Sequence, residues 1–201
     1  MRLQTIDKPT GLMMRIAFWA TRREFGKVMS TMRVLFPRAP KMVKLFYEIQ
    51  KFETNGMRLE KELHFMVATL VSQLNGCGCC TDISRSMVIR ENLGLEKFNA
   101  ILEYRTSPLF SNRDRAALTF VEEATRNKRV SDATFEALRD HFSEWEIVEI
   151  TWLNAVHNYY NLLNVPLELE SDGLCAIAEA RLAARSNQPG HAPGAHRRKL
   201  R

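Results

Sequence analysis

No stretch of this 201-residue chain approaches the ~18 consecutive apolar residues that a membrane-spanning helix needs, so no transmembrane segment is expected. A secretory leader is not expected either, because the apolar run from Leu12 to Ala20 is broken by Arg15 and lacks a small-residue cleavage site. No alternation of period two is sustained anywhere, which excludes a sheet-based fold, and no internal repeat stands out. Cysteine is scarce at four residues, and their pattern excludes two common uses. Covalent haem attachment needs His directly after a Cys-x-x-Cys, where this chain has Thr81. A structural zinc site needs four ligands, usually as two separated pairs, and Cys175 is the only cysteine outside one cluster. No metal and no cofactor is therefore expected.

Acidic residues are missing from the C-terminal end. Residues 181–201 hold six basic side chains and no acidic one, leaving 23 of each sign before them, so the net charge of +6 belongs to the tail and the body is neutral. The tail from Ser186 lacks apolar periodicity and reads as solvated and disordered. A nucleic-acid or membrane partner is not expected. At 45% hydrophobic the chain supports one domain with a real core.

What is present is helical periodicity almost throughout, and the fold class expected is all-α. Residues 12–27 read as an amphipathic helix with Leu12, Ile16, Trp19 and Ala20 on one side and Arg15, Arg22 and Arg23 on the other, its apolar face packing on the domain or on a second subunit. Phe36 to Pro40 breaks the chain before a helix from Lys41 to Phe52. Glu96–Glu103 reads as a shorter helix. Ser111 with Asp114, and Ser143 with Glu146, have capping-box spacing, and Ser131 or Asp132 caps a helix at Ala133–Phe142. The longest helix runs from Ser143 to about Leu163. Its residues Trp145, Val148, Trp152, Ala155, Tyr159 and Leu162 recur at helical spacing, which predicts burial. Its other face, Asn154, His157, Asn158 and Asn161, reads as a pocket or subunit-contact wall with His157 as proton carrier, or else as a solvent-facing stripe. Leu174–Ala184 is a last helix.

Three of the four cysteines fall within Cys77-Gly78-Cys79-Cys80, just after Asn75-Gly76 ends one helix and where another begins. Free amides and the dipole at a helix N-terminus favour an anion, and the thiolate is the nucleophilic form of cysteine. Cys77 and Cys80 share a face one turn apart, so one sulfur can attack and the other resolve the product as a disulfide. The competing reading is that these are buried thiols acting as small apolar side chains. Cys175 reads as packing. The compartment expected is the cytoplasm, where clustered cysteines are more often catalytic or metal-binding than structural staples.

Val71-Ser72-Gln73-Leu74-Asn75-Gly76-Cys77-x-x-Cys80-x-Asp82 resembles the core motif of the carboxymuconolactone decarboxylase and alkylhydroperoxidase D-like family. Asp114–Leu118, Phe142–Thr151 and Leu163-Asn164-Val165 resemble it too, and the match covers roughly residues 40–170. The resemblance implies an all-helical single-domain bundle that forms homo-oligomers (dimers, trimers or hexamers). The division expected is an N-terminal helical arm at 1–40, the family's helical domain at 41–170, and a C-terminal helix and basic tail at 171–201. It further implies that Cys80 is the peroxidatic thiol and Cys77 the resolving one, with a small hydroperoxide as substrate and a thiol reductant as partner.

The chain departs from the family's proton relay. The relay glutamate's position holds Phe65 and the relay histidine's holds Ser84, while Cys79 stands where some members have a histidine between the cysteines. Ser84 is not a base near neutral pH, and Glu62 and His64 lie close by as candidates to stand in. The readings open at this point are a thiol-dependent hydroperoxidase or disulfide oxidoreductase, a relay-deficient redox sensor or oligomeric binding protein, and a cysteine-independent lyase.

Overall fold

Capping side chains set several helix ends. In the computed structural model, which describes residues 1–186, Ser111 Oγ accepts the Asp114 amide and Asp114 Oδ2 accepts the Ser111 amide, so α7 (Asn112–Asn127) opens with the expected capping box. Ser143 and Glu146 do the same for α9 (Glu144–Asn164), and Ser131, not Asp132, caps α8 (Asp132–Arg139). No strand occurs among the described residues.

The remaining elements are α1 (Leu12–Phe25), α2 (Ser30–Val34), α3 (Lys41–Asn55), α4 (Lys61–Leu74), α5 (Gly78–Arg90), α6 (Leu95–Asn99) and α10 (Leu174–Ser186). The predicted helix at 96–103 is in fact α6 followed by a 3-10 turn at Ile101–Glu103. At five residues, α2 is too short to show a period. Its first residue, Ser30, gives its amide and hydroxyl to the Asp172 carboxylate at 2.6 and 2.9 Å, so a contact 142 positions away fixes it. The basic tail expected after α10 lies outside the described residues.

The described residues build two large apolar cores and a small cluster in which Val34 and Leu169 pack with Cys77, Cys79 and Cys80. Leu63, Met66, Val67, Leu70 and Val71 of α4 pack with Val88 of α5, Phe98 of α6, Leu118 and Val121 of α7, Leu138 of α8, and Ile150 and Leu153 of α9. Met14, Phe18, Met32, Phe36 and Leu174 close a second core between α1, α2 and α10, with Ile83 of α5 against it. Helix α5 thus has one face on each core, and Asp82 fastens it to the second. The Asp82 carboxylate accepts the amides of Asp172, Leu174 and Cys175 at 3.1, 2.9 and 2.9 Å, closing the open N-terminus of α10.

The regular apolar stripe of α9 is not buried. Trp145, Val148 and Leu162 are 66%, 64% and 70% exposed, and the buried residues are instead Ile147, Glu149, Ile150, Leu153, Asn154, Val156, Asn161 and Asn164. The stripe does form one face, but the helix turns that face outward because its polar residues have inward partners. Helix α1 likewise exposes Leu12, Ile16 and Trp19 and buries Met14 and Phe18.

Asp82 supports a stability prediction. Burial raises its pKa, but the hydrogen bonds from Cys175, Leu174 and Ser171 outweigh burial and hold it below its ordinary 3.8. A carboxylate with a lowered pKa stabilises the fold above its unfolded value and loses that contribution as pH falls through the folded one. Asp82→Ala should cost about 1–3 kcal/mol at pH 7, or roughly 2–4 °C of Tm per kcal/mol for a chain this size. Thermal unfolding should show the gap between variant and wild type narrowing as pH is taken below 3.8, the ordinary carboxyl value.

Candidate active site

The cysteine cluster is set by the reversal between α4 and α5. Helix α4 ends at Leu74, Gly76 takes φ 65, and the Cys77 amide returns to Ser72 O at 2.8 Å. Positive φ is cheap only for glycine, so Gly76 is what allows α5 to start so soon. Cys77 is the N-cap residue of α5, and Cys79 and Cys80 lie in its first turn. The first helical hydrogen bond comes from the Thr81 amide to Cys77 O, leaving the amides of Gly78, Cys79 and Cys80 without backbone partners.

Cys77 and Cys80 are joined in a disulfide, and Cys79 is a free buried thiol. Cys79 Sγ lies 3.8 Å from Cys77 Sγ and 3.9 Å from Cys80 Sγ, so all three sulfurs are in exchange range. Cys80 is the most accessible, at 7% exposure against 2% for the other two. Asn164 Nδ2 donates to Cys80 Sγ at 3.3 Å, and Thr31 Oγ1 donates to Asn164 Oδ1 at 3.1 Å. Burial pushes the Cys79 thiol up; contact with Thr31 pulls it down, and the charges of Asp172 and Asp82 push it up further. Cys79 is therefore a protonated thiol near neutral pH. Cys175 lies outside the cluster, its Sγ bonded to Asp82 O at 3.5 Å; burial and then its bond to the Asp82 side chain push it up to about 12, so it too stays protonated.

The polar face of α9 is turned inward, with Asn154 and Asn161 buried and His157 and Asn158 half-buried. Asn154 Oδ1 accepts Thr125 Oγ1 at 2.7 Å, and Asn75 Nδ2 donates to both Asn158 and Asn161 at 2.9 Å. Asn161 Nδ2 reaches Ser72 Oγ at 3.5 Å. His157, Asn161 and Asn164 fall in one line along the helix, which places His157 about 10 Å, or two turns, from the residue that touches Cys80.

The remaining candidate residues lie away from the sulfurs or do not bond to them. Glu62 pairs with Lys97 at 3.4 Å in the first turn of α4, about 18 Å along the helix axis from Leu74. Ser84 is buried in α5, and no hydrogen bond joins it to a sulfur. Phe65 stacks on His64 with ring centroids 5.3 Å apart. His64 and His157 do come together, edge to face at 5.9 Å, and Glu53 of α3 joins them. Burial lowers His64 to about 4, and burial together with the charge of His64 lowers His157 to about 3, so both rings are neutral at physiological pH. Burial raises Glu53 to about 7 against the opposing hydrogen bond from Gln50.

Two groups in the described residues bring three metal-ligating atoms within 4.8 Å of one another: the sulfurs of Cys77, Cys79 and Cys80, and the side chains of Glu53, His64 and His157. In the first, two of the sulfurs are bonded to each other. Sequence reasoning missed Glu53, Thr31 and Asn164. Asn164 continues the spacing of His157 and Asn161 and was within reach of the pattern, whereas Thr31 and Glu53 carried no local signal.

No family profile matches the chain. It is 30% identical over 175 residues to the uncharacterized protein YnjA of Escherichia coli strain K12, covering 85% of this chain and 94% of that one. A protein from Agrobacterium tumefaciens described as a putative antioxidant defence protein AhpD is 26% identical with a TM-score of 0.64, covering 68% of this chain and 94% of that one. The debrominase Bmp8, solved as a cysteine-to-alanine variant in complex with 2,3,4-tribromopyrrole, shares the fold at a TM-score of 0.73 and 17% identity, covering 89% of this chain and 100% of that one. With an all-helical fold and a cysteine pair at a helix N-terminus, the chain belongs to the alkylhydroperoxidase D-like, or carboxymuconolactone decarboxylase-like, family.

Proposed function

We propose that the protein is a thiol-dependent hydroperoxidase or disulfide oxidoreductase in which Cys80 is the nucleophile and Cys77 the resolving thiol. The observation that carries this is the Cys77–Cys80 pair at the open N-terminus of α5, with Cys80 the most accessible sulfur and Asn164 donating to it. The free amides of the first turn and the Asn164 donor both favour a thiolate at Cys80. That thiolate attacks the distal oxygen of a hydroperoxide; the O–O bond breaks, Cys80 becomes a sulfenic acid, and the alkoxide leaves and takes a proton from solvent as an alcohol. Cys77 then attacks the sulfenic sulfur, releases water and closes the disulfide. An external dithiol restores both thiols by exchange.

The family relay is not needed to form this nucleophile. Phe65 and Ser84 occupy its positions, and His157 is about 10 Å along α9 from Asn164, so the amides and Asn164 stabilise the thiolate. Cys79, protonated, does not compete as the attacking group.

The exposed stripe of α9 and the outer face of α1 support self-association, since large apolar side chains in a row are costly to leave in water. No helix among the described residues is long and apolar enough to cross a membrane, and the cover proposed for these faces is a second copy of the chain. The compartment proposed is the cytoplasm.

Fully reduced protein given one equivalent of an organic hydroperoxide should lose two thiols per chain, and peptide mapping should find the Cys77–Cys80 bridge. Cys80→Ser should abolish consumption, and Cys77→Ser should react once and stop at a sulfenic acid. Asn164→Ala should slow the first step about 10- to 100-fold, the worth of a hydrogen bond to a charged acceptor. Slow or no thiol loss in the wild type would sink this reading in favour of a redox sensor, a binding protein or a lyase.

The assembly is tested separately. Light scattering should give a multiple of the 23.2 kDa chain mass, and Val148→Glu with Leu162→Glu should return it to one chain with unchanged helical circular dichroism. A wild type that runs as a single chain would remove the stripe's proposed role.

A further inference from the structure

Every polar residue on the inward face of α9 but one is hydrogen-bonded, and the exception sits among donor atoms suited to a metal. Asn154, Asn158, Asn161 and Asn164 all have partners, whereas Nε2 of His157 is enclosed and has none. Across from it, Glu53 is 8% exposed, and its Oε1 is also enclosed without a partner. His64 of α4 completes the group, with one ligand atom from each of the three residues inside 4.8 Å of the others. A buried polar atom left unpaired is destabilising, and two of them in one three-residue group drawn from different helices call for something that satisfies both.

From this geometry we infer a binding site for a divalent first-row transition metal, held by the Glu53 carboxylate and the His64 and His157 rings between α3, α4 and α9. Two imidazoles and one carboxylate suit zinc, iron, manganese, cobalt or nickel; magnesium and calcium prefer all-oxygen sets. Neutral rings offer their lone pairs without first losing a proton, and a dication supplies the counter-charge that a buried carboxylate lacks. Gln50 Nε2 donates to Glu53 Oε2 at 2.8 Å, which orients the carboxylate and leaves Oε1 free, the outer support that metal ligands usually have. Atoms bound to one such ion lie roughly 3–3.5 Å apart, given bonds of about 2.0–2.2 Å, so binding draws the three together by side-chain rotation. Three protein ligands leave at least one coordination position for water or a small ligand. The site shares no residue with the cysteine cluster and does not depend on its chemistry.

The test is a Co2+ titration of the full chain, stripped of metal with a chelator and with the Cys77–Cys80 disulfide intact. The expected result is one Co2+ per chain, visible d–d bands without a thiolate charge-transfer band, and a higher Tm with Co2+ but not with Mg2+. Glu53→Gln, His64→Gln and His157→Gln should each weaken binding about 100-fold or more, at or beyond the upper end of what losing an outer support costs. Cys79→Ser should leave binding unchanged. No stoichiometric binding by the wild type would overturn the site, as would binding that survives all three substitutions or is lost in Cys79→Ser. Should the variants fail to fold, the wild-type stoichiometry, spectrum and Tm decide the matter alone.

Discussion

The structure depends on the need of one buried helix to satisfy its own polar side chains. Helix α9 runs through the main core with a carboxylate and four asparagines turned inward, and each must find a partner or cost the fold its desolvation. Glu149 takes the amides of Arg58 and Leu59 and so fixes the entry to α4. Asn154 and Asn158 take Thr125 and hold α7, Asn158 and Asn161 take Asn75 at the end of α4, and Asn164 takes Thr31 and Cys80. The result is a helix whose rotation about its own axis is fixed by bonds at four levels. Both the sulfur cluster and the Glu53, His64 and His157 group take their positions from it.

That constraint also explains what the sequence could and could not reveal. Capping boxes at Ser111 and Ser143, the stop at Asn75-Gly76 and the helix start at Cys77 are local, involve residues within a few positions, and were legible. The rotation of α9 was not. Its Trp145, Val148 and Leu162 stripe is as regular as any core face, and periodicity alone assigns the more apolar side to the interior. The inward asparagines outweigh it only because Thr125, Asn75 and Ser72 are placed to meet them, and that placement is a property of two other helices, α4 and α7. Helix α2 was illegible for the same reason, since Asp172 holds it from across the chain.

The site was half legible. Cys77 and Cys80 are one turn apart in sequence and therefore in space. The positions expected for a relay, Phe65 and Ser84, could be read as unfit from residue type alone. What surrounds the histidines could not be foreseen, because Glu53 lies on α3 and meets His64 and His157 only after α3, α4 and α9 have packed. Asp82 shows the opposite error that motif reading invites. It stands two residues past the second cysteine, within the recognisable pattern, yet its carboxylate bonds to the start of α10 and acts on the sulfurs only as a nearby charge on Cys79.

Cys79 lies within 4 Å of both members of the disulfide, so in the oxidised chain the bridge has more than one way to be drawn among the same three atoms. Moving it from one pair to another consumes no electrons and needs no outside reagent; it needs only that Cys79 shed its proton. Burial and two flanking carboxylates hold that proton in place. The barrier to moving the bridge is therefore set by acid–base chemistry, where distance alone would let it wander.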